Sequence, residues 1–302
     1  MKTSVRISCA ALACAAGLAL FFPSCAKSAK TVTVGSKSFT EQLIIGNIMA
    51  DLLESNGFAV KKQFGTGSTI TREGLETGQT DLYAEYTGTA WIVYMKKAET
   101  DTDPESLYQK VKTEDAKKDI VWLDRIPLNN TYALAVKKDM ASTYGTSISS
   151  LAEYARTHPG RLRFGIGHEF QQRPDGFQSM IKTYGLNIRP EQVSTMDVGL
   201  SYEALNRGQV DVAMVFTTDG LLVKYDLLVL KDDRSFFPVY NLAVTVRKET
   251  LAKYPEIEKI LKPLAGLLDN ATMQQLNFKV DGEGLPPEKV AEDFLREHKL
   301  IK

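Results

Sequence analysis

Six residues recur at one spacing in the two halves of the chain: Leu75, Gly78, Gln79, Asp81, Tyr86 and Thr87 match Leu205, Gly208, Gln209, Asp211, Phe216 and Thr217. In each copy a helix ends at glycine, a short strand follows, and an aromatic-threonine pair stands at the strand's far end. Helix-glycine-strand units are common in α/β proteins, so the match is weak taken alone. Its simplest account is two similar α/β lobes, each presenting one aromatic residue from an equivalent strand. A second echo agrees: Val32-Thr33-Val34-Gly35 ahead of a helix resembles Leu162-Arg163-Phe164-Gly165 ahead of the segment from Glu169. Ligands in open α/β sheets bind beyond the carboxyl ends of strands, so Tyr86 and Phe216 are expected to face a shared crevice.

Between these landmarks the patterning is regular. Ser38 with Glu41 three residues on predicts a capping box opening a helix whose apolar residues are Phe39, Leu43, Ile44, Ile48, Leu52 and Leu53. Gly57 ends it, and Val60 to Phe64 reads as the next strand. From Leu251 onward Ile257, Ile260, Leu261, Leu264 and Leu268 follow helical spacing, as do Val290, Phe294 and Leu295. These are expected to be packing helices. A length of 302 residues gives room for about two domains with their own cores, and 43% hydrophobic with 25% charged residues is the composition of a globular protein.

The N-terminus is a separate object. Lys2 and Arg6 precede an uncharged apolar run, Ala10 to Phe22, which reads as a secretory leader covering residues 1–25 and is short for a bilayer span. Pro23, Ser24, Cys25 and Ala26 resemble the lipobox of bacterial lipoproteins, with Phe22 where an aliphatic residue is usual; lipidation at Cys25 and plain cleavage both stay open. Cys9 and Cys14 lie inside the leader, so no internal disulfide is expected. Residues 26–31 read as a short tether. Removing Lys2 and Arg6 with the leader leaves 35 basic against 37 acidic residues, a balance that gives nucleic acid no electrostatic hold.

Little in the chain points to reaction chemistry. His158, His168 and His298 lack metal-ligand spacing, so no metal and no cofactor are expected. Gly65-Thr66-Gly67 lacks the rest of a nucleotide fingerprint and reads as a turn. Glu85 and Asp219 are the carboxylates nearest the expected crevice, but no nucleophile with an adjacent base accompanies them. The aromatic residues are more informative, because ring faces gathered in a crevice attract a cation that has no hydrogen bonds to donate, at roughly 0.5–2 kcal/mol per desolvated contact.

Six ordered motifs then carry a resemblance. They are Lys37-Ser38-Phe39-Thr40-Glu41-Gln42; Glu85-Tyr86-Thr87-Gly88-Thr89; Leu128-Asn129-Asn130-Thr131-Tyr132-Ala133-Leu134; Glu169-Phe170 with Arg173 and Asp175-Gly176; Thr218-Asp219-Gly220; and Asp232-Asp233 with Phe236-Phe237-Pro238 and Tyr240-Asn241. Together, from about Val32 to the C-terminus, they resemble the glycine betaine, choline and carnitine substrate-binding proteins of osmoprotectant ABC importers. The resemblance implies an α/β, two-lobe type II periplasmic-binding-protein fold with two crossing segments, near Thr131 and Pro238. Lobe I would be residues 31–131 plus 238–302, and lobe II residues 132–237. It also implies an aromatic cage of Tyr86, Tyr132, Phe216 and Tyr240 for a trimethylammonium head, with Phe216 departing from the tyrosine usual there. Lys37, Thr89 and Arg173 would hold a ligand carboxylate, with Asn130 and Glu169 in supporting places. The implied role is capture of a quaternary-ammonium compound outside the cytoplasmic membrane by a monomeric, lipid-anchored protein, and delivery to an importer permease. An enzyme on the same fold, marked by turnover, and a surface interaction lipoprotein, marked by no stabilisation by small ligands, stay open as alternatives.

Overall fold

The computed structural model describes residues 30–97 and 101–302. The expected leader 1–25, Cys25 and the tether up to residue 29 lie outside the described residues. Among the described residues ten strands form two five-stranded sheets. The first contains β1 (Lys30–Lys37), β2 (Phe58–Thr66), β3 (Leu82–Tyr86), β4 (Ile120–Asn129) and β10 (Asn241–Arg247), in the order β2-β1-β3-β10-β4. The second contains β5 (Tyr132–Lys137), β6 (Phe164–Ile166), β7 (Val193–Thr195), β8 (Val212–Phe216) and β9 (Leu227–Val229), in the order β7-β6-β8-β5-β9. Each sheet has three parallel strands followed by an antiparallel strand that arrives from the other sheet. The chain crosses from β4 to β5 through Asn130 and Thr131 alone, and returns between β9 and β10.

The sequence repeat is the shared frame of these sheets. Helix Ser68–Thr77 and helix Val198–Asn206 both give way to a glycine in the left-handed region, Gly78 at φ +80° and Gly208 at φ +68°, where a side chain would be strained. The aspartate that follows caps the neighbouring strand: Asp81 accepts from the Thr33 N–H at 2.7 Å and Asp211 from the Arg163 N–H at 2.9 Å. Val34 then pairs with Leu82, and Phe164 with Val212. The central strands β3 and β8 are buried almost throughout, the condition under which a strand loses its polar alternation.

Two local expectations are corrected. Helix α1 runs Thr40–Ser55, but its N-cap is Phe39 and no side chain caps it, so the Ser38-Glu41 capping box does not form. The Glu41 carboxylate is instead taken up by four donors from distant parts of the chain. Towards the C-terminus the apolar spacing from Leu251 to Leu268 is spread over three short helices, Lys248–Lys253, Glu256–Leu261 and Leu264–Leu267, with Leu268 at the end of the third. Pro255 and Pro263 occupy the N-cap positions of the second and third, since neither can donate to a preceding turn. Ile44, Ile48 and Leu53 of α1 are fully buried between the first sheet and the C-terminal helices, the last of which is Pro287–Glu297.

Candidate functional site

A cavity of about 650 Å³ lies between the two sheets, lined mainly by stretches that follow the carboxyl edge of a strand or belong to a crossing, with Asp281 added from the end of a C-terminal helix. The first sheet contributes Lys37 to Glu41, Tyr86 and Thr89; the crossings contribute Asn130, Tyr132 and Tyr240; the second sheet's side contributes His168, Glu169, Phe170, Arg173, Phe216 and Asp219. A larger surface groove of about 950 Å³, between the C-terminal end of α1 and the last helix, is lined mostly by charged, polar and aliphatic residues and has no aromatic ring. The cavity between the sheets has the size and mixed lining of a small-molecule site.

Its wall is aromatic. Tyr132 is the hub, with ring centroids 4.9 Å from Phe170, 4.8 Å from Phe216 and 5.6 Å from Tyr240. Phe39 connects the two repeat-related rings, lying 6.2 Å from Tyr86 and 5.9 Å from Phe216 in near-parallel planes. The backbone fixes this gathering: Tyr132 stands directly opposite Phe216 in the β5–β8 ladder. Burial pushes the hydroxyls of Tyr86, Tyr132 and Tyr240 above the usual phenol range, so all three stay protonated.

Charged groups back the rings. Arg173 makes a two-pronged pair with Asp175, at 2.8 and 2.7 Å, and its guanidinium carbon sits 5.2 Å from the Tyr132 centroid and 5.7 Å from that of Tyr240. Its remaining nitrogen, Nη1, points to Glu169 at 3.2 Å and Thr89 Oγ1 at 3.4 Å, and Tyr240 donates its hydroxyl to Asp175. Burial works against the Arg173 charge, but Tyr132, Tyr240 and Asp175 outweigh it. Lys37 reaches the cavity wall with its ammonium paired to Glu85 at 2.5 Å and 5.0 Å from the Tyr86 ring centroid. Glu85, read from sequence as a crevice carboxylate, is fully buried behind the wall on Lys37 and Tyr83.

Glu41 is the residue that sequence reasoning passed over. Its Oε1 accepts from the Tyr86 hydroxyl at 2.6 Å and the Asn130 amide at 2.8 Å, while Oε2 accepts from the Thr218 hydroxyl at 2.6 Å and the Asn277 amide at 3.4 Å. Those donors come from both sheets' ends, a crossing and a C-terminal helix, so one carboxylate ties the cavity wall together. Burial raises its pKa above the ordinary range, against the effect of the four hydrogen bonds. Phe39, Phe170 and Asp175 were also absent from the expected site, although each stood within a quoted motif. Asp219 lines the wall with its carboxyl turned onto the Tyr202 hydroxyl and the Phe216 N–H. Among the described residues no group of three or more His, Cys, Asp or Glu is arranged to hold a metal ion.

The comparisons with known proteins follow the same lines. The family described as the substrate binding domain of ABC-type glycine betaine transport systems, OpuAC, matches residues 30–297. A glycine-betaine-binding protein of Pseudomonas aeruginosa is 42% identical over 99% of this chain and 94% of its own length. An ergothioneine transport permease/ergothioneine binding protein of Helicobacter pylori is 36% identical over 88% of this chain, which spans 47% of that longer protein. A crystal structure of a glycine betaine/carnitine/choline ABC transporter protein superposes with a TM-score of 0.74 at 32% identity, covering 90% of this chain and 100% of that one.

Proposed function

The chain belongs to the OpuAC family, the substrate-binding domains of ABC-type glycine betaine transport systems, and from that premise we propose that it captures a quaternary-ammonium compound between its two sheets and delivers it to an importer permease. Its family consists of extracytoplasmic transport binding proteins. One observation carries the reading of the site: Tyr132, Phe216, Tyr240 and Tyr86, drawn from both sheets and both crossings, line a single cavity of ligand size. Ring faces there replace water around methyl groups that cannot donate a hydrogen bond. A ligand carboxylate, where present, takes Arg173 Nη1 and Thr89 Oγ1, with the exposed Glu169 giving way; Lys37 supports from the far side and Asn130 through Glu41. Phe216 keeps the ring face and lacks the hydroxyl a tyrosine would add. The same reading makes residues 31–131 with 238–302 one lobe and 132–237 the other, closing on ligand about the crossings in a monomer.

The test is calorimetric titration of the ligand-stripped mature domain with glycine betaine, choline, carnitine and proline. Saturable binding of methylated cations with proline silent is the expected result. The double variant Y86A/Y132A is expected to lose binding altogether, and near-parental affinity in it would sink the cage. The anchor at Cys25 belongs to this proposal too: C25S is expected to move the protein from the detergent phase to the aqueous phase on Triton X-114 partition, and an unchanged partition would remove the lipid.

A further inference from the structure

Thr87 and Thr217, the last pair of the sequence repeat, make the same two hydrogen bonds in the two halves of the molecule. Thr87 Oγ1 donates to the Val239 carbonyl at 3.1 Å and accepts from the Asn241 N–H at 3.1 Å. Thr217 Oγ1 donates to the Asn129 carbonyl at 3.0 Å and accepts from the Thr131 N–H at 3.2 Å. Each hydroxyl thus clasps the carbonyl of one residue and the N–H of the residue two further on, in a crossing segment. The residues preceding the threonines are Tyr86 and Phe216. The residue enclosed by the first clasp is Tyr240, and the second ends one residue before Tyr132. The two crossings are tied to each other as well, the Asn130 N–H donating to the Tyr240 carbonyl at 3.2 Å and the Tyr240 N–H to Asn129 Oδ1 at 2.7 Å.

We propose that Thr87 and Thr217 are positioning residues: a pair of repeat-related hydroxyl staples that fix Tyr86 relative to Tyr240 and Phe216 relative to Tyr132, and so set the ring spacing a ligand meets. The inference rests on the cage reading for its effect on affinity and on the hydrogen bonds alone for the staple itself. A hydroxyl is required because one atom must donate and accept at once; valine has the same shape and does neither. Thr87 is fully buried, so its loss leaves the Asn241 N–H without that partner, whereas Thr217 is partly open and water replaces some of what it gives.

The experiment uses the mature domain with T87V, T217V, T87S and T217S, and reads two quantities far below the melting temperature. Without ligand, amide hydrogen exchange is expected to quicken at Asn241 in T87V and at Thr131 in T217V, each variant affecting its own crossing, with the serine variants near parental. With ligand, each valine variant is expected to raise Kd roughly tenfold, the equivalent of one ring contact, and serine to restore it to within about threefold. Unchanged exchange in both valine variants overturns the staples. Quickened exchange with Kd held within about twofold overturns their positioning role, because a merely structural bond would shift stability and leave affinity alone. If no methylated cation binds the parental protein, the cage reading has failed, and the exchange data decide the staples by themselves. Should T87V not fold, T217V with its serine control decides both points.

Discussion

Asp219 follows β8 with its carboxyl turned inward, and burial pushes its pKa up to about 7 against the hydrogen bonds from Tyr202 and the Phe216 N–H; nearby Glu41 and Asp281 push the same way. An unfolded aspartate titrates near its ordinary value, so between about pH 4 and 7 the folded chain holds a proton that the unfolded chain has released. Asp219 therefore favours folding at the acid end of that window, and its contribution is lost as pH rises through 7. D219N, close in shape to the protonated form, is expected to be within about 1 kcal/mol of the parent near pH 4.5 and to be more stable by about 2–4 kcal/mol at pH 8 in urea unfolding. Parallel pH curves for the two proteins would exclude the buried titration. At Glu41 geometry decides. Glutamine offers one accepting oxygen to four donors and turns its own NH₂ towards two of them, so E41Q is expected to lose roughly 1–3 kcal/mol and to weaken ligand binding as Tyr86 loses its anchor. Unfolding and titration that both match the parent would show the network to be dispensable.

Among the elements, the turn Thr87–Thr89 is packed tightly against the Tyr240 ring. A Cβ on Gly88 would lie 2.7 Å from two Tyr240 ring atoms and 2.9 Å from the Val239 carbonyl oxygen, and the latter is backbone that cannot swing aside. G88A is expected to cost about 1–3 kcal/mol and to displace the Tyr240 ring, with Kd rising alongside; a variant binding normally would mean that ring is not at the ligand. The contrast between this element and others explains what was legible. The helix-glycine-strand repeat was readable because its glycines answer a local need, a left-handed φ at Gly78 and Gly208, and its aspartates recur because each caps the equivalent neighbouring strand 48 residues earlier. Apolar spacing likewise exposed α1, but the segmentation after Lys248 is set by Pro255 and Pro263, which punctuate a pattern that periodicity alone reads through. Glu41 was misread for the opposite reason. Its place after Ser38 satisfies a local rule, while its partners lie as far away as Asn277, and only folding reveals which donors win.

At the scale of the whole molecule, the near-neutral balance of 37 basic and 37 acidic residues hides a charged mouth. The cavity wall carries Lys37 and Arg173 against Glu41, Glu169, Asp197, Asp219 and Asp281. Both cations are further matched by carboxylates behind the wall, Glu85 and Asp175. The field at the opening is therefore negative once Asp219 has ionised, and a cleft with low-dielectric walls focuses it. A ligand carrying one net positive charge is drawn in, whereas a zwitterion, with no net charge, feels mainly the gradient. Association of choline measured by stopped flow at pH 8 is expected to slow roughly tenfold between about 20 and 500 mM salt, as the screening length falls from about 20 Å to a few ångströms, while glycine betaine changes by less than about twofold. Dissociation, governed by the rings inside, is expected to vary little for either. Equal salt dependence for the two ligands would place the steering charge elsewhere. A flat response for choline alone would mean that the wall carboxylates are neutralised by protons or by their neighbours before the ligand arrives.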